Sequence, residues 1–183
     1  MLKRVARGLL KLGGWTMVGD IPSVDKAVFI AAPHTSNWDG IWGLVYRVAL
    51  GLDAHFFAKK DLFWFPLGSV LSALGGIPLD RKRPGSAVQT AIDAFASHEH
   101  FFFALAPEGT RSFRPKWRSG FYRIAREANV PLVLGFFDYG KKRLGLGPVI
   151  TLSGDVEQDM ARIREFYAGV EGRRPENTGP VRI

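Results

Sequence analysis

Phe101-Phe102-Phe103-Ala104-Leu105-Ala106-Pro107-Glu108-Gly109-Thr110-Arg111 sets an unbroken apolar run directly before a polar turn. A strand with one wet face alternates apolar and polar residues, whereas a strand covered by helices on both faces reads as continuously apolar. The run 101–105 is of the second kind and predicts an interior strand. Upstream of it, short apolar runs alternate with helical periodicity: a strand over 28–32, a helix over 41–50, a strand over 54–58 and a helix over 62–74. A strand near Ile77 and a helix over 87–96 complete that half. Downstream come a helix over 121–128, a strand over 132–136 and a strand near Val149. Asp155 with Gln158 offers an N-cap pair for a closing helix whose apolar stripe is Val156, Met160, Ile163 and Tyr167. The alternation predicts the α/β class: a single domain with a mostly parallel, mixed sheet flanked by helices.

Composition agrees with one domain, since 183 residues bury a proper core and leave little room for a second one. Apolar residues at 46% against 23% charged place the chain in the globular class and away from disorder. The 25 Lys and Arg against 17 Asp and Glu give +8, which points to an anionic partner: phospholipid, nucleic acid or a phosphorylated substrate. Absence of cysteine excludes disulfides, thiolate catalysis and Cys-based metal sites, and fits a cytoplasmic location. No stretch approaches the roughly 18 apolar residues of a spanning helix; even 42–52 is interrupted by Arg47. Lys11 likewise interrupts the apolar part of the first fifteen residues, which are read as mature protein rather than a signal peptide.

Residues 1–14 are read as a basic amphipathic helix, 15–171 as the main domain and 172–183 as an irregular tail rich in Pro, Gly and Arg. At 100° per residue Leu2, Val5, Ala6, Leu9, Leu10 and Leu12 share one side of that helix, and Lys3, Arg4, Arg7 and Lys11 take the other. Such a face suits an anionic membrane surface, and it equally suits packing on the domain with a solvated basic side.

In open α/β sheets chemistry gathers beyond the carboxyl ends of the strands. Three turns stand there. Pro33-His34-Thr35-Ser36-Asn37-Trp38-Asp39 sets an imidazole and a carboxylate five residues apart. A continuous helix would hold them about 140° apart, but Pro33 and a cap at Ser36 let the loop fold His34 back toward Asp39. An imidazole so held exposes one nitrogen as a general base. The same residues also match a capping box, in which Asp39 serves the helix N-terminus. Arg81 closes Gly75-Gly76-Ile77-Pro78-Leu79-Asp80-Arg81 and either grips a phosphate or pairs with Asp80. Pro107-Glu108-Gly109-Thr110-Arg111 is the third: Gly109 permits close backbone approach, Thr110 and Arg111 offer donors to an anion, and Glu108 accepts from a hydroxyl or braces an arginine. His98 and His100 are read as caps of a helix end. No G-x-S-x-G elbow or H-E-x-x-H pair occurs, which argues against serine and zinc hydrolases. Basic residues are scattered and no nucleic-acid-binding motif is found, so no nucleic-acid partner is expected.

Taken together, His34 to Asp39 resembles the HxxxxD motif of the glycerolipid acyltransferases, and Phe103 with 106–111 resembles their FPEGTR motif. The stretch 76–81 looks like the family's arginine-ended second block, and Val130-Pro131-Leu132-Val133 resembles its fourth. This resemblance implies a glycerol-3-phosphate acyltransferase-like fold. It implies His34 as base, Asp39 as its orienting partner, and Arg81, Glu108, Gly109, Thr110 and Arg111 as the acceptor-binding set. No metal or redox cofactor is implied. The donor would be acyl-CoA or acyl carrier protein, and the acceptor a lysophosphatidic-acid-like lysolipid or another lipid. The enzyme would sit peripherally at the inner face of the cell membrane, against anionic lipid. Leu134 departs from the family, standing where a second proline is frequent, and the chain is short beside many members. Phe63-Trp64-Phe65 is read as a second membrane contact or as core.

Overall fold

The computed structural model describes residues 1–79 and 86–183; Arg81, with the turn expected around it, lies outside the described residues. Helices are α1 (Leu2–Leu12), α2 (Asn37–Leu50), α3 (Leu67–Ala73), α4 (Ser86–Ser97), α5 (Gly120–Glu127) and α6 (Val156–Tyr167). Strands are β1 (Thr16–Val18), β2 (Lys26–Ala32), β3 (Ala54–Lys59), β4 (Gly76–Leu79), β5 (Phe101–Leu105), β6 (Leu132–Asp138) and β7 (Arg143–Ile150). They form one sheet in the order β1-β7-β6-β2-β5-β3-β4, parallel at every pairing except the antiparallel β6–β7. The single mixed, mostly parallel sheet foreseen from the apolar runs is therefore present.

Period-two geometry sends alternate side chains of the central strands to opposite faces, and each face is sealed by its own helices. Val28, Ile30, Phe103, Leu132 and Leu134 meet Phe95, Phe121, Ile124, Met160 and Ile163 on one side. On the other, Ala27, Phe29, Val133 and Phe137 meet Ala6, Leu10, Tyr46 and Ala49. Both faces of β2, β5 and β6 are covered, which is why those strands carry no polar alternation.

Topology opens the sheet at one place. From β2 the chain crosses by α2 to β3, two positions away on one side; from β5 it crosses by α5 to β6, two positions away on the other. Since β2 and β5 are neighbours, their exits diverge and leave a crevice at the carboxyl ends. The two motif loops, 33–39 and 106–111, are those exits.

Three elements differ from the sequence reading. β1 is unforeseen, being only three residues long and too short to show a period. β7 begins at Arg143 and pairs with β1 only because Gly145 has no Cβ, which would fall on the Val18 carbonyl. The helix expected over 62–74 breaks into a 3₁₀ turn at Lys60–Leu62 and α3. Phe63 stays partly buried between them, while Trp64 and Phe65 are 58% and 86% exposed, so the tip of this aromatic stretch is not core. His98 does cap the end of α4, its Nδ1 lying 2.8 Å from the Ala94 carbonyl, but His100 pairs with Asp25 instead, at 3.0 Å.

α1 runs antiparallel to α2: Gly13 abuts the Trp42 ring, and Lys3 reaches Gly51 at the far end. Ala6 and Leu10 are buried in that contact, and Arg7 Nε donates to the Ala49 carbonyl at 3.2 Å. The apolar stripe is wider than α2 covers, leaving Leu2, Val5, Leu9 and Leu12 exposed. Residues 172–183 carry a 3₁₀ turn at Pro175–Asn177 and fold back on the domain, where Trp117 N donates to Arg182 O at 2.7 Å.

Candidate active site

Ser36, in extended conformation, stops the β2 exit and caps α2, its Oγ accepting from Trp38 N at 3.2 Å. Asp39, third residue of the helix, returns the bond: its Oδ2 accepts from Ser36 N and Thr35 N, both at 2.8 Å. The capping box is thus formed, and it holds the carboxylate beside the imidazole. His34 Nδ1 lies 3.3 Å from the same Oδ2. The cap and the His34–Asp39 contact thus coexist on one carboxylate.

Asp39 is fully buried, and its other oxygen, Oδ1, accepts from the Tyr139 hydroxyl at 2.7 Å. Burial pushes its carboxyl upward, but donation from His34, Tyr139 and the Ser36 backbone outweighs burial and holds it below the ordinary 3.8. It is an anion at neutral pH. The His34 side chain remains 23% exposed, and with Nδ1 turned to the carboxylate its Nε2 is the nitrogen left for a reacting proton.

The second exit loop supports the first from below. Glu108 is 7% exposed, and its Oε1 accepts from His34 N at 2.9 Å. Oε2 is buried without a hydrogen-bond partner among the described residues, against a cavity of about 30 Å³ lined by Ala32, Trp117 and Thr178. Burial raises the Glu108 carboxyl above 4.5, only partly opposed by the His34 amide. Gly109 takes φ +65°, and the Arg118 side chain packs where its Cβ would be. Thr110 and Arg111 stand on the rim, where Arg111 Nη1 donates to Asn37 Oδ1 at the start of α2. Glu108 therefore meets the His34 loop, and Arg111 meets α2, rather than each other.

The structure thus brings His34, Asp39 and Glu108 into contact, with Gly109, Thr110 and Arg111 beside them. Sequence reasoning missed Tyr139, which follows β6. The rule that singled out residues after strand ends applies to it equally, yet no motif drew attention there. It also missed the closing segment: Arg174 N donates to Thr35 Oγ1 at 3.1 Å, and the Arg173 guanidinium lies 5.2 Å from the Trp38 ring centre. Beside the crevice is a cavity of about 990 Å³ whose lining includes His34 and Arg111 together with Gly40, Leu44, Phe56 and Leu105. No cluster of three or more His, Asp or Glu among the described residues is placed to hold a metal ion.

Both exit loops lie within residues 17–133, which match the family model described as Acyltransferase. The chain belongs to the acyltransferase family. Among solved structures, this acyltransferase is similar to the 1-acyl-sn-glycerophosphate (LPA) acyltransferase PlsC of Thermotoga maritima, with a TM-score of 0.66. The likeness covers 92% of this chain and 76% of that one at 19% identity, and at that identity it is a likeness of fold. No curated protein sequence gives a significant match. Tyr139 and the closing segment of the acyltransferase lie beyond the matched residues.

Proposed function

We propose that this acyltransferase moves a fatty acyl group from a thioester, on coenzyme A or acyl carrier protein, to a hydroxyl of a lysophosphatidic-acid-like acceptor. The observation that carries the reading is the His34–Asp39 contact in the lining of a large, mainly apolar cavity. In the reaction the acceptor O–H gives its proton to His34 Nε2 while its oxygen bonds to the thioester carbonyl carbon. The C–S bond then breaks, and the leaving thiolate takes the proton back from the imidazolium. Asp39 stays ionised throughout and stabilises that imidazolium. Donors at the loop backbones steady the developing oxyanion. Arg81, Glu108, Gly109, Thr110 and Arg111 serve the acceptor, Arg111 and Arg81 through its phosphate and Glu108 by holding the loop that carries the base.

The reaction takes place at a membrane surface on the cytoplasmic side. Leu2, Val5, Leu9 and Leu12 beside the basic face of α1, with Trp64 and Phe65, supply the apolar and cationic groups that anionic lipid requires. No helix among the described residues is long and apolar enough to cross a membrane.

The test is incubation with a radiolabelled acyl thioester and a panel of lysolipids, scored for new lipid. Lysophosphatidic acid is expected to be acylated, and His34→Ala to lose about 10³-fold in rate while keeping its far-UV spectrum. Product from a sugar lipid or amino-acid lipid alone would reassign the acceptor; a fully active His34→Ala would remove the mechanism.

A further inference from the structure

Asp39 is held at both oxygens, but by unlike means. Oδ2 takes the Thr35 and Ser36 amides and faces His34 Nδ1, all from its own loop. Oδ1 takes one donor, the hydroxyl of Tyr139, from the far end of β6 and a hundred residues along the chain. Tyr139 is itself clamped: Trp15 packs edge-on to its ring at 4.8 Å, and its backbone N–H donates to Glu171 O at 2.8 Å. A phenol so constrained is not a casual neighbour of the carboxylate.

We propose that Tyr139 is a positioning residue for catalysis, acting through Asp39 to set the orientation and the charge that His34 feels. The inference rests on the reading of His34 as general base. Without the phenol, Asp39 keeps its loop bonds but is free to turn about Cβ–Cγ, and Oδ1 is left buried and unpaired. Its negative charge, no longer shared with a donor, acts more strongly on the imidazolium and makes the base harder to deprotonate. Charged and titratable groups around the pair are few. His34 faces Asp39 from the β2 exit, and Glu108 stands behind His34 on the β5 exit. Lys142 lies 5.7 Å from the Tyr139 ring, and Arg173 approaches the phenol from the closing segment.

The chain has no cysteine, so thiol released from palmitoyl-CoA in the presence of 1-oleoyl-lysophosphatidic acid can be followed with a thiol reagent against no protein background. In Tyr139→Phe, kcat is expected to fall ~10-fold with KM nearly unchanged. The acid limb of kcat/KM should move up by about half a pH unit. Site-specific 3-fluorotyrosine at 139, nearly isosteric and a stronger donor, should move that limb the other way and carries the test if Tyr139→Phe folds poorly. In an Asp39→Asn background, Tyr139→Phe should change the residual rate less than about twofold. A limb that stays put in both variants, or an equal fold loss with and without Asp39, would overturn the inference. Loss of the His34 requirement itself would instead sink the general-base reading.

Discussion

Asp39 and Glu108 sit on the neighbouring exits of β2 and β5, both buried and both bonded to the same short loop, yet their carboxyls shift in opposite directions. Asp39 receives two amides and a phenol and faces an imidazole; Glu108 receives one amide and leaves an oxygen with no partner among the described residues. Burial pushes both carboxyls up, and the number of donors decides which one is held down. The two carboxyls therefore do different jobs. In the proposed mechanism Asp39 needs its charge, to stabilise an imidazolium that exists only during the reaction. Glu108 in that mechanism needs only an acceptor oxygen, to hold the His34 backbone through its amide.

The sharpest way to break this contrast is to neutralise each group without changing its shape. Asp39→Asn should lower kcat ~10³-fold, since the charge behind the imidazole is lost and the wrong tautomer is favoured. Glu108→Gln should stay within a few-fold of wild type, because an amide oxygen can still accept from His34 N. Matched losses in the two variants, measured side by side in the thiol-release assay, would show that charge at Glu108 matters as well. Deleting the acceptor is a different operation. Glu108→Ala strands the partly buried His34 amide and should cost about 1 kcal/mol of stability in a denaturant titration, with activity lost as the loop loosens.

Much of this was legible in sequence because it is local or periodic. The unbroken apolarity of 101–105 is a direct trace of a strand covered on both faces, and residues 33–39 hold in seven positions the whole capping box that aims the carboxylate. Long-range closure leaves no such trace. Tyr139 reaches Asp39 only because β6 pairs with β2, and Arg174 reaches Thr35 only because the end of the chain folds back over the domain. Neither contact has a spacing that periodicity can register. β7 is only half legible for a related reason: its Gly145 serves the close approach of β1, its Gly147 makes room for the Phe166 ring, and together they erase the alternation that marks a strand. Glu108 illustrates a third limit. Its residue type is compatible with gripping a substrate, bracing an arginine or holding a loop, and only the position of the His34 amide separates these roles.

The smallest expected effect lies in the pH dependence of stability, where the two carboxyls should bend the curve in opposite senses. Folded Asp39 titrates below its ordinary 3.8, so its contribution is complete above that value and is lost as pH falls through the folded one. Folded Glu108 titrates above its ordinary 4.5, so the folded chain keeps its proton after the unfolded chain has released one. Stability therefore declines as pH rises from 4.5 through the folded value, and the deficit persists at neutral pH. Melting temperatures across pH 3 to 8 separate the two. Asp39→Asn should flatten the acid side below 3.8, whereas Glu108→Gln should remove the decline above 4.5 and leave the protein more stable than wild type at neutral pH. A Glu108→Gln protein that is less stable at neutral pH, with its slope unchanged, would mean that the ionised carboxylate is satisfied after all. The contrast between the two loops would then rest on His34 alone.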